Sequence, residues 1–156
     1  MINGQALGKT AELKYGLFPM SFNGCEVISV YNALEYLNIP QEIDAVRKYM
    51  ERYAVFGGFF GCNIYCIGKA LNHFGAECEK VKSPDNAEAV IVSSWTGIPF
   101  LSTIHTVFCV RDNDDIKVYN RYNNLQSYMK YSSFEKIFGG RKPLVIYKLR
   151  QEYKHE

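Results

Sequence analysis

Ser21-Phe22-Asn23-Gly24-Cys25-Glu26-Val27-Ile28-Ser29-Val30-Tyr31-Asn32-Ala33-Leu34 is the stretch around which the rest of the chain is organised. It reads as a polar turn opening a strongly apolar helix, with a cysteine in the first helical turn. Asn23 is a suitable N-cap, and Glu26 stands three residues later, where a capping-box carboxylate belongs. Val27, Val30, Leu34 and Leu37 form one stripe that Ile28 and Tyr31 widen, so burial is expected over much of the circumference. A thiol at a helix start feels unpaired backbone N–H groups and the positive end of the helix dipole, and both favour the thiolate. Cys25 is therefore the candidate nucleophile, and the rest of the chain has to supply its base.

Outward from this helix, which should end near residues 38–40, the spacing predicts a second amphipathic helix at about 41–53, with Ile43, Val46, Met50 and Tyr53 on one face. Gly57-Gly58-Phe59-Phe60-Gly61 is a loop with unusual backbone freedom. A third helix is expected over 63–74, with Gly75 as its C′ glycine. Beyond Gly75 the period shortens. Residues 78–82, 89–93, 103–111, 116–120 and 143–149 read as strands, and Asp112-Asn113-Asp114-Asp115 as a turn. Ser132-Ser133-Phe134-Glu135 is a capping box opening a short helix that stops at Gly139-Gly140. Residues 1–20 read as an extended, irregular arm. Helices first and an antiparallel sheet second make the class α+β. One domain over 1–156 is expected, its helical part at about 20–75 and its sheet part at about 76–150.

The net charge of +2, with both signs interspersed, gives no electrostatic case for nucleic acid or an anionic membrane as partner. No apolar run approaches the roughly 18–20 residues needed to span a bilayer, so no membrane insertion is expected. The first residues lack the basic-then-apolar pattern of a signal peptide. Five cysteines, an odd count, argue for free thiols in a reducing compartment, which makes the cytoplasm the expected location.

Three histidines can serve as the base. His155 lies in a charged tail and reads as solvated. His73 falls in the last turn of the third helix, where imidazoles commonly meet terminal carbonyls. That leaves His105, which enters an apolar strand. If Arg111 pairs with Ile116 across the turn, Cys109 lies opposite Val118 and Val107 opposite Asn120. Alternation then puts His105, Val107 and Cys109 on one face with Val118 and Asn120. His105 and Asn120 become diagonal neighbours. Asn120 would accept from one ring N–H and leave the other nitrogen for the thiol, the arrangement of a thiolate–imidazolium nucleophile.

Asn23-Gly24-Cys25-Glu26-Val27 heading a buried helix, Ile104-His105-Thr106-Val107 starting a strand and Val118-Tyr119-Asn120 closing the hairpin together resemble the papain-like cysteine peptidases. The resemblance is to the bacterial C39-like, bacteriocin-processing branch, where the order is Cys, His, then Asp or Asn. Gly61-Cys62-Asn63-Ile64-Tyr65 also resembles a helix start in such domains. The resemblance implies a Cys helix packed on an antiparallel sheet, and cleavage of a peptide or protein substrate through an acyl-enzyme. In that reading Cys25 attacks, His105 shuttles the proton and Asn120 orients the ring. A thiol acyltransferase or amidase with the same triad, or a peptide-binding domain that no longer cleaves, are the alternatives. The family's oxyanion-hole Gln, some six residues before the nucleophile, is replaced here by Pro19. Asn23 and the Cys25 backbone N–H are the remaining donor candidates, and Glu26 opposes thiolate formation.

Cys62, Cys66, His73 and Cys78 match no common zinc spacing, so neither a metal nor another cofactor is expected. Gly57 and Gly58 are candidates for a cleft edge where a substrate strand could pair. Trp95, before the His105 strand, is the candidate for the other wall.

Overall fold

The computed structural model describes residues 1–151, and His155 lies outside them. The amino-terminal arm is more ordered than expected. A 3-10 turn at Lys9–Glu12 leads into a small hairpin, β1 (Lys14–Tyr15) and β2 (Phe18–Pro19), and then a single helical turn, α1 (Met20–Asn23). The helix α2 (Cys25–Tyr36) follows after one residue, Gly24. A side chain at Gly24 would meet the Met20 carbonyl at 2.7 Å, which is why this junction takes a glycine. Because a helical turn precedes it, Asn23 does not cap α2, and no side-chain cap is formed there.

The helical part continues with α3 (Ile43–Met50), shorter than expected because Glu51–Tyr53 tightens into a 3-10 turn. The third helix divides in the same way, into a 3-10 turn at Ile64–Cys66 and α4 (Ile67–His73). Gly75 has φ +87°, as its place after the helix requires. His73 stacks on Tyr49 with centroids 3.6 Å apart, and Cys78 faces the Gly68 carbonyl and Asn72. Among the described residues, no three His, Cys, Asp or Glu side chains gather as metal ligands would, and no helix is long and apolar enough to cross a membrane.

The sheet part comprises β3 (Cys78–Val81), β4 (Ala89–Trp95), β5 (Ile104–Asp112), β6 (Asp115–Tyr119), β7 (Met129–Tyr131), the short helix α5 (Phe134–Ile137) and β8 (Val145–Leu149). The strands form one antiparallel sheet in the order β3-β8-β4-β5-β6-β7. The β5–β6 register agrees with the sequence reading: Arg111 lies opposite Ile116 and Cys109 opposite Val118. Ser133 stands at the N-cap of α5, but its side chain caps nothing.

Side-chain alternation divides the core in two. Ile91, Phe108 and Tyr147 pack with Val27, Ile28 and Leu34 of α2 and Ile67 and Leu71 of α4. Val92, Val107, Cys109, Val118 and Ile146 pack on the other face, under Ile137 and Phe138. The helical part thus covers one face of the sheet and the α5 segment the other.

Candidate active site

Cys25 is the first residue of α2 and is buried. Its thiol donates to the neighbouring Glu26 carboxylate, with Sγ 3.2 Å from Oε2, and it also meets the backbone of Thr106 in β5. The Ser29 hydroxyl, one turn further along α2, donates to the Thr106 carbonyl at 3.2 Å and holds the helix on that strand. The nucleophile candidate therefore sits against the residue that follows His105.

Burial pushes the Cys25 thiol well above its ordinary range, and the Glu26 charge adds to that. The backbone contacts with Thr106 and Glu26 pull the other way without overcoming them. At neutral pH the thiol keeps its proton, contrary to what the helix-start argument alone predicts. A helix dipole is worth a few tenths to about 1 kcal/mol at exposed sites, which full burial outweighs.

His105 is buried at the start of β5, and its Nε2 lies 2.7 Å from the backbone carbonyl of Asn120. A carbonyl can only accept, so Nε2 carries the ring proton and Nδ1 holds the lone pair. Burial pushes the imidazole down to about 4. The Asn120 carbonyl opposes that shift, while the nearby Arg121 charge adds to it. The ring is neutral at pH 7.

The expected partner is the right residue but the wrong atom. Asn120 has φ +55°, so the chain turns sharply as it leaves β6. The turn sends the carbonyl to His105 and the carboxamide to the amino-terminal arm. Asn120 Oδ1 accepts from the Gln5 backbone N–H at 2.9 Å, and Nδ2 donates to the Gln5 side chain at 3.2 Å. The Asn120 backbone N–H donates to Asn3 Oδ1 at 2.8 Å. Asn3 and Gln5, in a stretch whose sequence gave no periodic signal, are the supports that sequence reasoning missed.

Cys25 and His105 are not hydrogen-bonded to each other. Thr106 and Phe108 face α2, so alternation turns His105, Val107 and Cys109 toward the α5 side. Ser94, opposite His105 in the β4–β5 register, is fully buried, and its hydroxyl has no hydrogen-bond partner among the described residues.

Asn23 cannot serve as an oxyanion donor as it stands. Its amide donates to the carbonyls of Tyr15 at 2.9 Å and Gly58 at 2.8 Å, which uses both hydrogens. Nor is the Gly57-Gly58 backbone free for a substrate strand. The Gly57 carbonyl accepts from the Leu17 N–H at 2.8 Å, and Gly58, at φ +91°, is buried against Tyr15. These glycines dock the loop on the β1–β2 hairpin. Their role is structural because a Cβ on Gly58 would fall 2.5 Å from the Tyr15 carbonyl.

Exposed aromatic side chains surround this end of α2. Phe18, Phe22, Phe59 and Phe60 form a connected ring cluster, with Phe56 against Phe60. At the β5 end, Trp95 packs on Phe100, which is 89% exposed in a loop that also exposes Ile98 and Leu101. Trp95 thus supports an apolar loop at the end of the sheet where His105 lies.

No sequence-family description and no curated protein matches the chain. Solved structures do. One is a double glycine motif protease from an AMS/PCAT transporter, in complex with the leader peptide. It is 15% identical, with a TM-score of 0.52 over 81% of this chain and 84% of that one. Another is the peptidase domain of Streptococcus ComA, a bifunctional ABC transporter involved in a quorum sensing pathway. It is 12% identical, with a TM-score of 0.58 over 89% of this chain and 100% of that one. The fold is that of a C39-type peptidase domain. Within this α+β, papain-like fold, a helix headed by Cys25 lies on an antiparallel sheet that carries His105.

Proposed function

We propose that the chain is a thiol peptidase in which Cys25 is the nucleophile, His105 the base and Asn120 the residue that orients the ring. The observation that carries this reading is the seat of Cys25. It heads the sheet-packed helix of a C39-type fold with its sulfur at the backbone of Thr106, next in the chain to His105. A peptide is the substrate in keeping with that fold, and the exposed Phe cluster and the Ile98–Leu101 loop offer apolar contacts on either side of the site.

In this mechanism the Cys25 side chain leaves Glu26, and its proton passes to the free Nδ1 of a reoriented His105. The thiolate adds to the scissile carbonyl carbon, with the Cys25 backbone N–H as the oxyanion donor. Collapse expels the amine, which takes the proton from the imidazolium. Water, deprotonated by the same ring, then cleaves the thioester and restores the thiol. An amine in place of that water would make the same site an acyltransferase.

A second reading, a peptide-binding domain that does not cleave, is favoured by one observation. The thiol is buried, protonated and bonded to Glu26, and both Asn23 amide hydrogens are spent. Site-resolved iodoacetamide labelling across pH, run beside hydrolysis of a double-glycine leader peptide, separates the two. The peptidase reading expects Cys25 to outpace the other four thiols below pH 8 once peptide is bound, and His105→Ala to remove that advantage. A Cys25 that labels like a buried thiol with and without peptide, in a protein that binds but does not cut, establishes the second reading.

A further inference from the structure

Glu26 is a glutamate in an unusual setting. It is the second residue of α2 and only 3% exposed, a degree of burial that carboxylates seldom show without a cation. Among the described residues no Lys, Arg or His pairs with it. The Cys25 thiol hydrogen-bonds the carboxylate instead, and the backbones of Glu26 itself and of Cys62 lie near enough to favour its charge. Gly61, at φ +68°, lets the chain close over it, since a Cβ there would lie 3.1 Å from Oε2. The bridge between Ala54 and Cys62 fixes that closure.

The titratable groups facing Glu26 are the Cys25 thiol of α2, the Cys62 thiol and the Tyr15 hydroxyl of β1, which donates to the Met50 carbonyl at 2.8 Å. Burial, reinforced by the Glu26 charge, pushes all three upward. Four acidic groups thus share one dry space without a countercharge, and a second negative charge there is strongly disfavoured.

We propose that Glu26 is the positioning residue of Cys25, a latch whose carboxylate accepts the S–H and keeps the thiol protonated and turned into the fold. The site holds one negative charge at a time. At rest it is on Glu26, and Cys25 becomes a thiolate only when the Glu26 carboxyl is protonated or drawn away. The release takes one of two forms: solvent protonates Glu26, or the thiol turns off the carboxylate, and in both the thiol proton then passes to His105. This inference rests on reading Cys25 as the nucleophile, but it is tested without any peptide cleavage.

Two measurements test it. In Glu26→Gln the charge is gone, and iodoacetamide should modify Cys25 about tenfold faster or more at pH 7.5, with its labelling profile displaced to lower pH. In Cys25→Ala the S–H donor is gone, and the Glu26 midpoint, followed by carboxyl 13C shifts, should move upward. An unchanged or slower labelling rate in folded Glu26→Gln overturns the proposal. So does an unmoved Glu26 midpoint in Cys25→Ala, which decides the matter if Glu26→Gln does not fold. The peptidase reading fails separately: both responses can occur in a protein that never cuts a peptide.

Discussion

The two sides of β5 treat their polar residues in opposite ways. On the α2 side, Cys25 and Glu26 form a pocket of acids in which the carboxyl is pushed up to about 7 and the thiol higher still. On the α5 side, His105 is a buried base pushed down to about 4 and bonded to a backbone carbonyl. The first pocket admits a single negative charge, held on Glu26 with the thiol as its neutral donor, and the second holds a neutral imidazole on a neutral carbonyl. A working cysteine–histidine pair needs the reverse, two opposite charges facing each other. The fold therefore keeps Cys25 and His105 apart, and on the proposed peptidase reading peptide binding is the event that brings them together.

The largest expected effect breaks both sides at once. Cys25→Ser and His105→Ala should each lower kcat/KM for leader-peptide hydrolysis on the order of 10⁴-fold, with the double variant little worse than either. Additive losses would mean that the two residues do not act as a unit.

The two pockets also pull stability in opposite directions with pH. His105, whose folded value lies below its ordinary 6.5, contributes stability that is intact above pH 6.5 and lost as pH falls toward 4. Glu26, whose folded value lies above its ordinary 4.5, costs nothing below pH 4.5 and destabilises progressively as pH rises toward 7. Each amounts to about 3 kcal/mol, and the two slopes oppose one another between pH 4.5 and 6.5. Urea unfolding at stepped pH should show His105→Gln gaining relative stability as pH falls from 7 to 4.5. Glu26→Gln should lose stability as pH falls from 6.5 to 4. Parallel profiles for both variants and the wild type would mean that neither group titrates as its burial dictates.

Smaller effects sharpen the geometry. Gly58→Ala forces a Cβ against the Tyr15 carbonyl at φ +91°, and should cost about 1–3 kcal/mol in urea unfolding. Asn120→Gly keeps the carbonyl that holds His105 and permits the positive φ, so hydrolysis should fall only about tenfold, roughly 1.4 kcal/mol. A loss as large as that of His105→Ala would return the orienting role to the carboxamide. Phe56→Ser and Phe100→Ser, both fully outside the core, should shift stability within about ±0.5 kcal/mol while weakening peptide binding, read by titration calorimetry.

The hairpin register was legible because a turn at Asp112–Asp115 pairs Arg111 with Ile116, and β6 alternates buried Ile116 and Val118 with Lys117 and Tyr119. From it came the proximity of His105 and Asn120. What alternation cannot report is backbone direction at a strand end, so the exchange of carboxamide for carbonyl was hidden. Glu26 had the right spacing for a capping box, but its role depended on the loop around Gly61, a contact 35 residues distant in the case of the neighbouring Asn23–Gly58 bond. The edge strand β7 was missed because the preceding Tyr122-Asn123-Asn124-Leu125-Gln126-Ser127-Tyr128 has no period to point to it. The aromatic cluster was not legible as a patch, since Phe18, Phe22 and Phe59 meet only after the loop docks on the hairpin.

The amino-terminal arm gives the site an order of assembly. Gln5 and Asn3 bind Asn120 across separations of 115 and 117 residues, while the Ile2 backbone binds the Asn32 carboxamide in the middle of α2. Contacts so distant along the chain are slow to close and come late in folding. The sheet and the Cys25 helix can therefore form before the carbonyl that holds His105 has its final support. A chain stopped at that stage would have a nearly complete core and an unfinished histidine, and the first five residues would be what completes it.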